Sequence, residues 1–394
     1  MSKVSSRLGV IKPSVTLAVT AKAQAMRAEG VDVVSFSAGE PDFDTPAHIV
    51  EAAVKALWDG ATRYTPVAGI PVLREAVARQ SAGARGGSCE ASEVIVTVGA
   101  KHALYGFFQA VLDPGDEVVV PAPYWVSYPD QVLLAGGRPI IAETSAGDGW
   151  ALTAEKLEEV AGPRTRAVVI NSPSNPTGSI YSREAMAAVV GKALELGLWV
   201  VSDEIYRDLI YGDSRHVSPL EVAEDREKIF VVDGVSKTYA MTGWRIGWGI
   251  GDPEVVAAMA KIQGQSTSNP ASVAQAAALE AITSRADFLE DWRRQYVERR
   301  DVMVEGLRGM DSVECRTPDG AFYVLPDVSK LLGRLGPEAT DVDLASYLLE
   351  EAHVATVPGS GFGAPGHIRL SYATSMKEID RGLAMMKRAF EKLD

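Results

Sequence analysis

Cysteine is nearly absent from this chain: 394 residues contain two, Cys89 and Cys315. So few cannot build a disulfide framework or a zinc cluster, and the chain reads as a protein of a reducing compartment. Histidine is also scarce. The five present, His48, His102, His216, His353 and His367, show no metal-ligand spacing, which argues against a metalloenzyme. Basic charge is in deficit, with 39 Lys and Arg against 52 Asp and Glu, a net charge of −13. Nucleic-acid binding needs a basic footprint, so that class is set aside. No run of 18 apolar residues occurs, so no membrane-spanning helix is expected. Residues 1–9 lack an apolar core of signal-peptide length. A cytoplasmic protein is expected.

The balance that remains is that of a globular protein, with 46% hydrophobic and 23% charged residues. At roughly 100–200 residues per domain the length allows two or three domains. Short β-branched runs alternate with helical stretches. Candidate strands are 93–97, 117–120, 138–143, 166–170, 198–202, 229–232 and 246–250, several of them nearly continuous apolar runs, as in strands covered on both faces. Helical patterns fall between them, as at 103–112, 183–196 and 255–262. This predicts an α/β layer structure with a mostly parallel sheet. After about residue 283 the pattern changes to a long charged amphipathic helix (287–310), short strands (312–315, 321–325, 354–357, 367–371) and a last helix (377–393), which predicts a smaller α+β unit. A helix (15–29) and a strand (32–36) near the start are expected to pack on that unit or on a partner subunit. The expected division is an arm and packing segment at 1–45, a large domain at 46–284 and a small one at 285–394.

Candidate chemistry sits just after predicted strands, where ligands bind in open α/β sheets. Ser236-Lys237 follows the run 229–232 and precedes a glycine- and aromatic-containing stretch with no acidic residue. A lone lysine is ordinarily a solvated surface group, but an enclosed one can lose its proton and form an imine with an aldehyde. Asp203-Glu-Ile-Tyr206 follows the run 198–202 and could equally be a helix cap with an acidic first turn. Asn171-Ser-Pro-Ser-Asn-Pro-Thr-Gly178 could be a turn. Gly99-Ala100-Lys101 joins a strand to a helix and would offer free N–H groups to a phosphate. One lysine, one aspartate, one asparagine and a helix N-terminus at four strand ends suit pyridoxal 5'-phosphate, which needs an amine for its aldehyde and an acid for its ring nitrogen.

These residues carry a resemblance to the fold-type I, class I aminotransferases, most of all the bacterial aspartate aminotransferases and the branch that also uses prephenate. The matching stretches are Gly39-Glu-Pro-Asp-Phe-Asp-Thr-Pro46, Tyr64-Thr-Pro-Val-Ala-Gly-Ile-Pro71, Pro123-Tyr-Trp-Val-Ser-Tyr-Pro129, Asn175-Pro-Thr-Gly178, Asp203-Glu-Ile-Tyr206, Ser236 to Trp248, and Arg369-Leu-Ser-Tyr372, in the family's order and over nearly the whole chain. The resemblance implies a seven-stranded, mostly parallel sheet sandwiched by helices, a smaller α+β domain, and a homodimer with shared active sites. It implies that Lys237 binds the cofactor covalently and moves the substrate proton. Asp203 would hold a proton on the ring nitrogen, with Asn175 and Tyr206 on the ring oxygen. Gly99, Ala100, Lys101, Ser236 and Arg245 would surround the phosphate, Tyr64 would reach the neighbouring subunit's phosphate, and Trp125 would stack on the ring. Arg369 would clamp the substrate α-carboxylate, assisted by the Gly39 backbone and Asn175.

Some relatives read the substrate side chain with an arginine four residues before a Ser-Asn-Pro motif. Here Ser268-Asn-Pro270 is present, but Gly264 holds that place. The resemblance points instead to Lys101 for the side-chain carboxylate, and to Lys12 for prephenate. Gly234 stands where some relatives have a phosphate-binding serine. The expected activity is amino transfer between aspartate or glutamate and 2-oxo acids, with prephenate as an additional acceptor. Other amino-acid specificities, and a lyase on the same fold, are the alternatives. One G-x-G-x-x-G, at Gly361, Gly363 and Gly366, precedes a strand-like run and not a helix, so it reads as a loop and not a dinucleotide site.

Overall fold

The computed structural model describes residues 4–11, 15–85 and 87–393. Strand β1 (Val34–Ser35) comes first. Seven strands then form the main sheet: β2 (Val94–Thr97), β3 (Glu117–Ala122), β4 (Arg138–Glu143), β5 (Thr165–Asn171), β6 (Trp199–Asp203), β7 (Ile229–Gly234) and β8 (Gly247–Ile250). Their spatial order is β2-β8-β7-β6-β5-β3-β4. Only β8 runs antiparallel to its neighbours, β2 and β7. All seven predicted strands are present, with no end displaced by more than two residues.

Successive strand side chains enter opposite apolar layers, the period-2 signature of a sheet buried on both faces. Val94, Val96, Val200 and Val231 pack with the helices Ala47–Trp58, Pro71–Arg85, Arg183–Glu195 and Ser272–Thr283. Ile95, Val201 and Val232 pack with Ala100–Val111, Ser127–Leu134 and Pro253–Ser266. Ring stacking of Phe107 on Phe230, centroids 4.5 Å apart, ties the second layer to the sheet. Edge strand β4 is largely exposed and carries Arg138 and Glu143 at its ends, which discourages further strand pairing. Helix starts are capped by side chains: Ser182 accepts from Ala185 N–H at 3.1 Å, and Asp252 from Glu254 N–H at 2.7 Å.

The C-terminal part holds β9 (Tyr323–Val324), β10 (Val354–Ala355), β11 (Val357–Pro358) and β12 (Ile368–Ser371). Strands β11-β12-β9 form one small antiparallel sheet, while β10 pairs in parallel with β1. The N-terminal strand therefore packs on the C-terminal unit. Predicted strand 354–357 is two strands, because the chain passes from one sheet to the other at Thr356. Predicted strand 312–315 is not a strand: Ser312 has φ 66°, and Glu314 makes an isolated bridge to Asp327. Its alternation reflects Val313 and Cys315 packing into the core next to the helix Phe288–Arg308. The G-x-G-x-x-G lies in the turn between β11 and β12, as expected of a loop. Among the described residues no helix is long and apolar enough to cross a membrane, and no cluster of metal-ligating groups occurs.

Candidate active site

The sheet delivers its chemistry at one edge. Asn171 and Asp203 are the last residues of β5 and β6 and lie side by side in register. Strand β7 ends at Gly234, so Ser236 and Lys237 leave the same edge. Because β8 is antiparallel, its first residue, Gly247, pairs with both Gly234 and Thr97, which brings Arg245 to the ends of β7 and β2. The helix Ala100–Val111 starts there too, and its first N–H groups have no carbonyl within the helix to bond.

Glycine makes this convergence possible. A Cβ on Gly247 would strike the backbone of Gly99 and Ala100, and one on Gly234 would lie 2.8 Å from Gly247 Cα. The helix start is thus seated on the β7–β8 ladder with no side chain between them. Gly99 has φ +78°, and a Cβ there would stand 2.5 Å from the Arg245 guanidinium. This packing leaves no room for a side chain at position 234.

A cavity of about 470 Å³ opens over this edge. Its walls include Lys237, Asp203, Tyr206, Asn175, Ser236, Ala100, Lys101, Trp125, Arg245, Arg369 and Gly39, so most of the sequence-predicted residues meet in one space. Gly99 lies directly behind it. Tyr64 does not line it and is 89% exposed on the outer surface. Lys12 lies outside the described residues. A larger cleft, about 780 Å³, borders Arg207 and Arg215. Its cations are already paired, Arg207 with Asp233 at 2.9 Å and Arg215 with Glu221 at 2.7 Å.

Within the cavity, Lys237 Nζ donates to the Gly39 carbonyl at 2.5 Å. Burial draws its pKa down to about 8, with Arg369 and Arg245 adding to the effect and Glu40 opposing it. Asp203 is 4% exposed. Tyr128 donates to its Oδ2 at 2.8 Å and the Ile205 N–H to its Oδ1 at 3.3 Å. Burial nonetheless pushes the carboxyl up to about 6, the Tyr128 hydrogen bond working against it. Asn171 fixes the turn, donating to the Asp203 carbonyl at 2.9 Å and accepting from Asn175 N–H at 2.8 Å.

Arg369, on β12, is 2% exposed. It donates to Asn175 Oδ1 at 2.9 Å and to the Ser37 carbonyl at 3.0 Å, while its buried Nε has no hydrogen-bond partner. A buried donor left without a partner is costly, and a carboxylate would satisfy it. Lys101 Nζ lies 4.8 Å from the Trp125 ring centroid, and burial followed by the nearby Arg245 lowers its pKa.

Three side chains here were missed in the sequence: Tyr128 behind Asp203, Tyr323 beside Tyr206, and Thr20, whose hydroxyl is 3.2 Å from that of Ser37. Tyr128 at least lies within the Pro123–Pro129 stretch, so an expanded reading of that motif could have found it. Tyr323 and Thr20 carry no local signal.

A deprotonatable lysine, a buried acid, and an arginine beside a side-chain-free helix start fit a phosphorylated pyridine aldehyde by the chemistry of the donors and by the glycine cradle. The fold is that of the fold-type I pyridoxal-phosphate-dependent transferases. The family profile "Aminotransferase class I and II" matches residues 31–385, and the chain belongs to that family. It is 48% identical to an aspartate/prephenate aminotransferase of Thermus thermophilus, over 98% of this chain and 99% of the relative. An aspartate aminotransferase of Geobacillus stearothermophilus is 45% identical over 99% of each. The solved structure of the Thermus thermophilus aspartate aminotransferase with maleate superposes with a TM-score of 0.94 at 47% identity, covering 99% of this chain and 100% of that one.

Proposed function

We propose that this chain is an aspartate aminotransferase that moves amino groups between aspartate or glutamate and 2-oxo acids, using pyridoxal 5'-phosphate. The observation that carries this reading is the shared cavity of Lys237, Asp203 and Arg369, in which an arginine donor is buried without a partner. When bound, the cofactor supplies an aldehyde to carry the amino group and a cationic ring to accept electrons.

The chain's own residues then divide the work. Arg369 grips the substrate α-carboxylate with its planar fork, and Asn175 keeps that fork aimed. Lys237, neutral in a sizeable fraction near pH 8, takes the proton from substrate Cα. Asp203 holds the proton on the ring nitrogen, and that cationic partner favours its carboxylate form. Tyr206 and Asn175 serve the ring oxygen. Ser236, Arg245 and the N–H groups at Ala100 serve the phosphate, and Trp125 covers the ring.

Lys101 reads the side-chain carboxylate, in keeping with its place on the cavity wall and with relatives named for aspartate. A charge-assisted hydrogen bond of this kind is worth about 1.5–3 kcal/mol, roughly 10–100-fold in preference for an acidic side chain. Prephenate is proposed as a further acceptor, supported by the Thermus relative, an aspartate/prephenate aminotransferase. Lys12 is the residue proposed to favour it.

Two copies are proposed to share their sites. Val50, Val54, Leu57, Trp58, Tyr64 and Val72 expose a run of large apolar side chains, with Trp58 at 87%. A second copy covering this face would carry Tyr64 to the neighbouring phosphate. The proposed division into 1–45, 46–284 and 285–394 is supported by two sheet-layer clusters whose buried members lie within 49–281 and by a third that joins Val34 and Phe36 to the C-terminal unit, with Ile205, Tyr206, Leu209 and Tyr211 bridging from the large unit. Cys89 and Cys315, present as thiols and not as a disulfide, agree with the proposed cytoplasmic location. The test is to mix the protein with aspartate and 2-oxoglutarate. Oxaloacetate and glutamate are expected, whereas ammonia or carbon dioxide would make it a lyase.

A further inference from the structure

Tyr323 lies at the junction of two groups with separate tasks. Its hydroxyl is 2.9 Å from that of Tyr206, and its ring centroid is 4.4 Å from the Arg369 guanidinium carbon. Tyr323 is fully buried and Tyr206 is 3% exposed. Both line the cavity. Tyr323 lies on β9, one strand from Arg369 on β12, whereas Tyr206 follows β6 of the main sheet.

Two buried hydroxyls in contact share one hydrogen bond, so only one of them spends its proton on the other. Burial raises both phenols, and Arg369, whose guanidinium sits over the ring of Tyr323, offsets this more at Tyr323 than at Tyr206, which leaves Tyr323 the less raised of the two and so the better donor. With Tyr323 donating, Tyr206 accepts and its own proton is left for a third acceptor in the cavity. Such chains strengthen each member.

We infer that Tyr323 is a positioning residue that links the carboxylate clamp, Arg369, to the donor for the cofactor's ring oxygen, Tyr206. This rests on the proposed cofactor site and adds a residue to it. When a substrate carboxylate reaches Arg369, it offsets the cation over Tyr323 and weakens the donation to Tyr206. Clamp occupancy is thus sensed at the ring oxygen through a path separate from Asn175.

The experiment is a pH titration of the absorbance of bound pyridoxal phosphate in wild type, Tyr323→Phe, Tyr206→Phe and the double variant. Tyr323→Phe keeps the ring under Arg369 and removes only the hydroxyl. It should move the titration midpoint upward by about half to one unit, because Tyr206 becomes a weaker donor to the anionic ring oxygen. In the Tyr206→Phe background the same change should add less than about 0.2 units, since the path is already cut. Affinity for a dicarboxylate such as maleate should fall less than about threefold in Tyr323→Phe. An unmoved midpoint in Tyr323→Phe, or additive shifts in the double variant, would overturn the link while leaving the site reading intact. A wild-type chain that takes up no pyridoxal phosphate would overturn both.

Discussion

Lys237 and Asp203 are each held by burial close to the pH at which they change charge, and this has measurable consequences residue by residue. Free lysine titrates near 10.4, so capture of pyridoxal phosphate by the apoprotein should rise with a midpoint near pH 8 and not above 10. For Asp203 the folded-state value is raised, from 3.8 to about 6. The folded chain is therefore penalised for carrying that charge. The penalty is absent below about pH 4, grows between 4 and 6, and is complete above 6. Asp203→Asn apoprotein should gain up to about 3 kcal/mol over wild type above pH 6 and nothing at pH 4, as read by denaturant melts. The loaded protein should show no such gain, because the ring nitrogen loses its partner. In the proposed reading Arg369 and Lys101, both on the cavity wall, would divide the substrate between them. Lys101→Ala should lower kcat/KM for aspartate by roughly 10–100-fold and for alanine by less than about threefold. Equal losses would remove Lys101 from the side-chain role.

Elements place these residues, and they also show what could be read in advance. The central strands of the main sheet were legible because nearly continuous apolar runs such as Ile229–Val232 fit a sheet covered on both faces, whereas the exposed edge strand β4 was legible from its place in the alternation of strands and helices. The strand ends carrying Asn171, Asp203 and Lys237 followed from those runs. The break at Thr356 was not legible, since the short run Val-Ala-Thr-Val, largely β-branched, looks the same whether it joins one sheet or two. Tyr323 and Thr20 were invisible because their partners are 117 and 17 residues away. The tight seat of the helix Ala100–Val111 on β8 was equally hidden, as glycine in a strand signals close approach without naming the partner. It can be tested. Gly247→Ala pushes a methyl group into the Gly99–Ala100 backbone and should cost about 2–4 kcal/mol and weaken pyridoxal phosphate binding together. Gly243→Ala meets open space and should cost under about 1 kcal/mol.

Over the whole molecule, the arm, the small sheets and the main sheet surround one cavity, and in the proposed dimer the exposed face at Trp58 and Tyr64 would make that cavity a shared one. Neither inactive subunit should then be beyond rescue. Mixing Tyr64→Ala subunits with Lys237→Ala subunits should restore activity, because the hybrid contains one site with both native residues. No recovery after subunit exchange would mean the two residues serve a single chain. The central claim, however, is the covalent partner of the cofactor. The direct measurement is to load the protein with pyridoxal phosphate, reduce it with borohydride and locate the modified residue by peptide mass. Modification at Lys237 is predicted. A stable adduct at any other lysine, with Lys237 unmodified, would contradict the account.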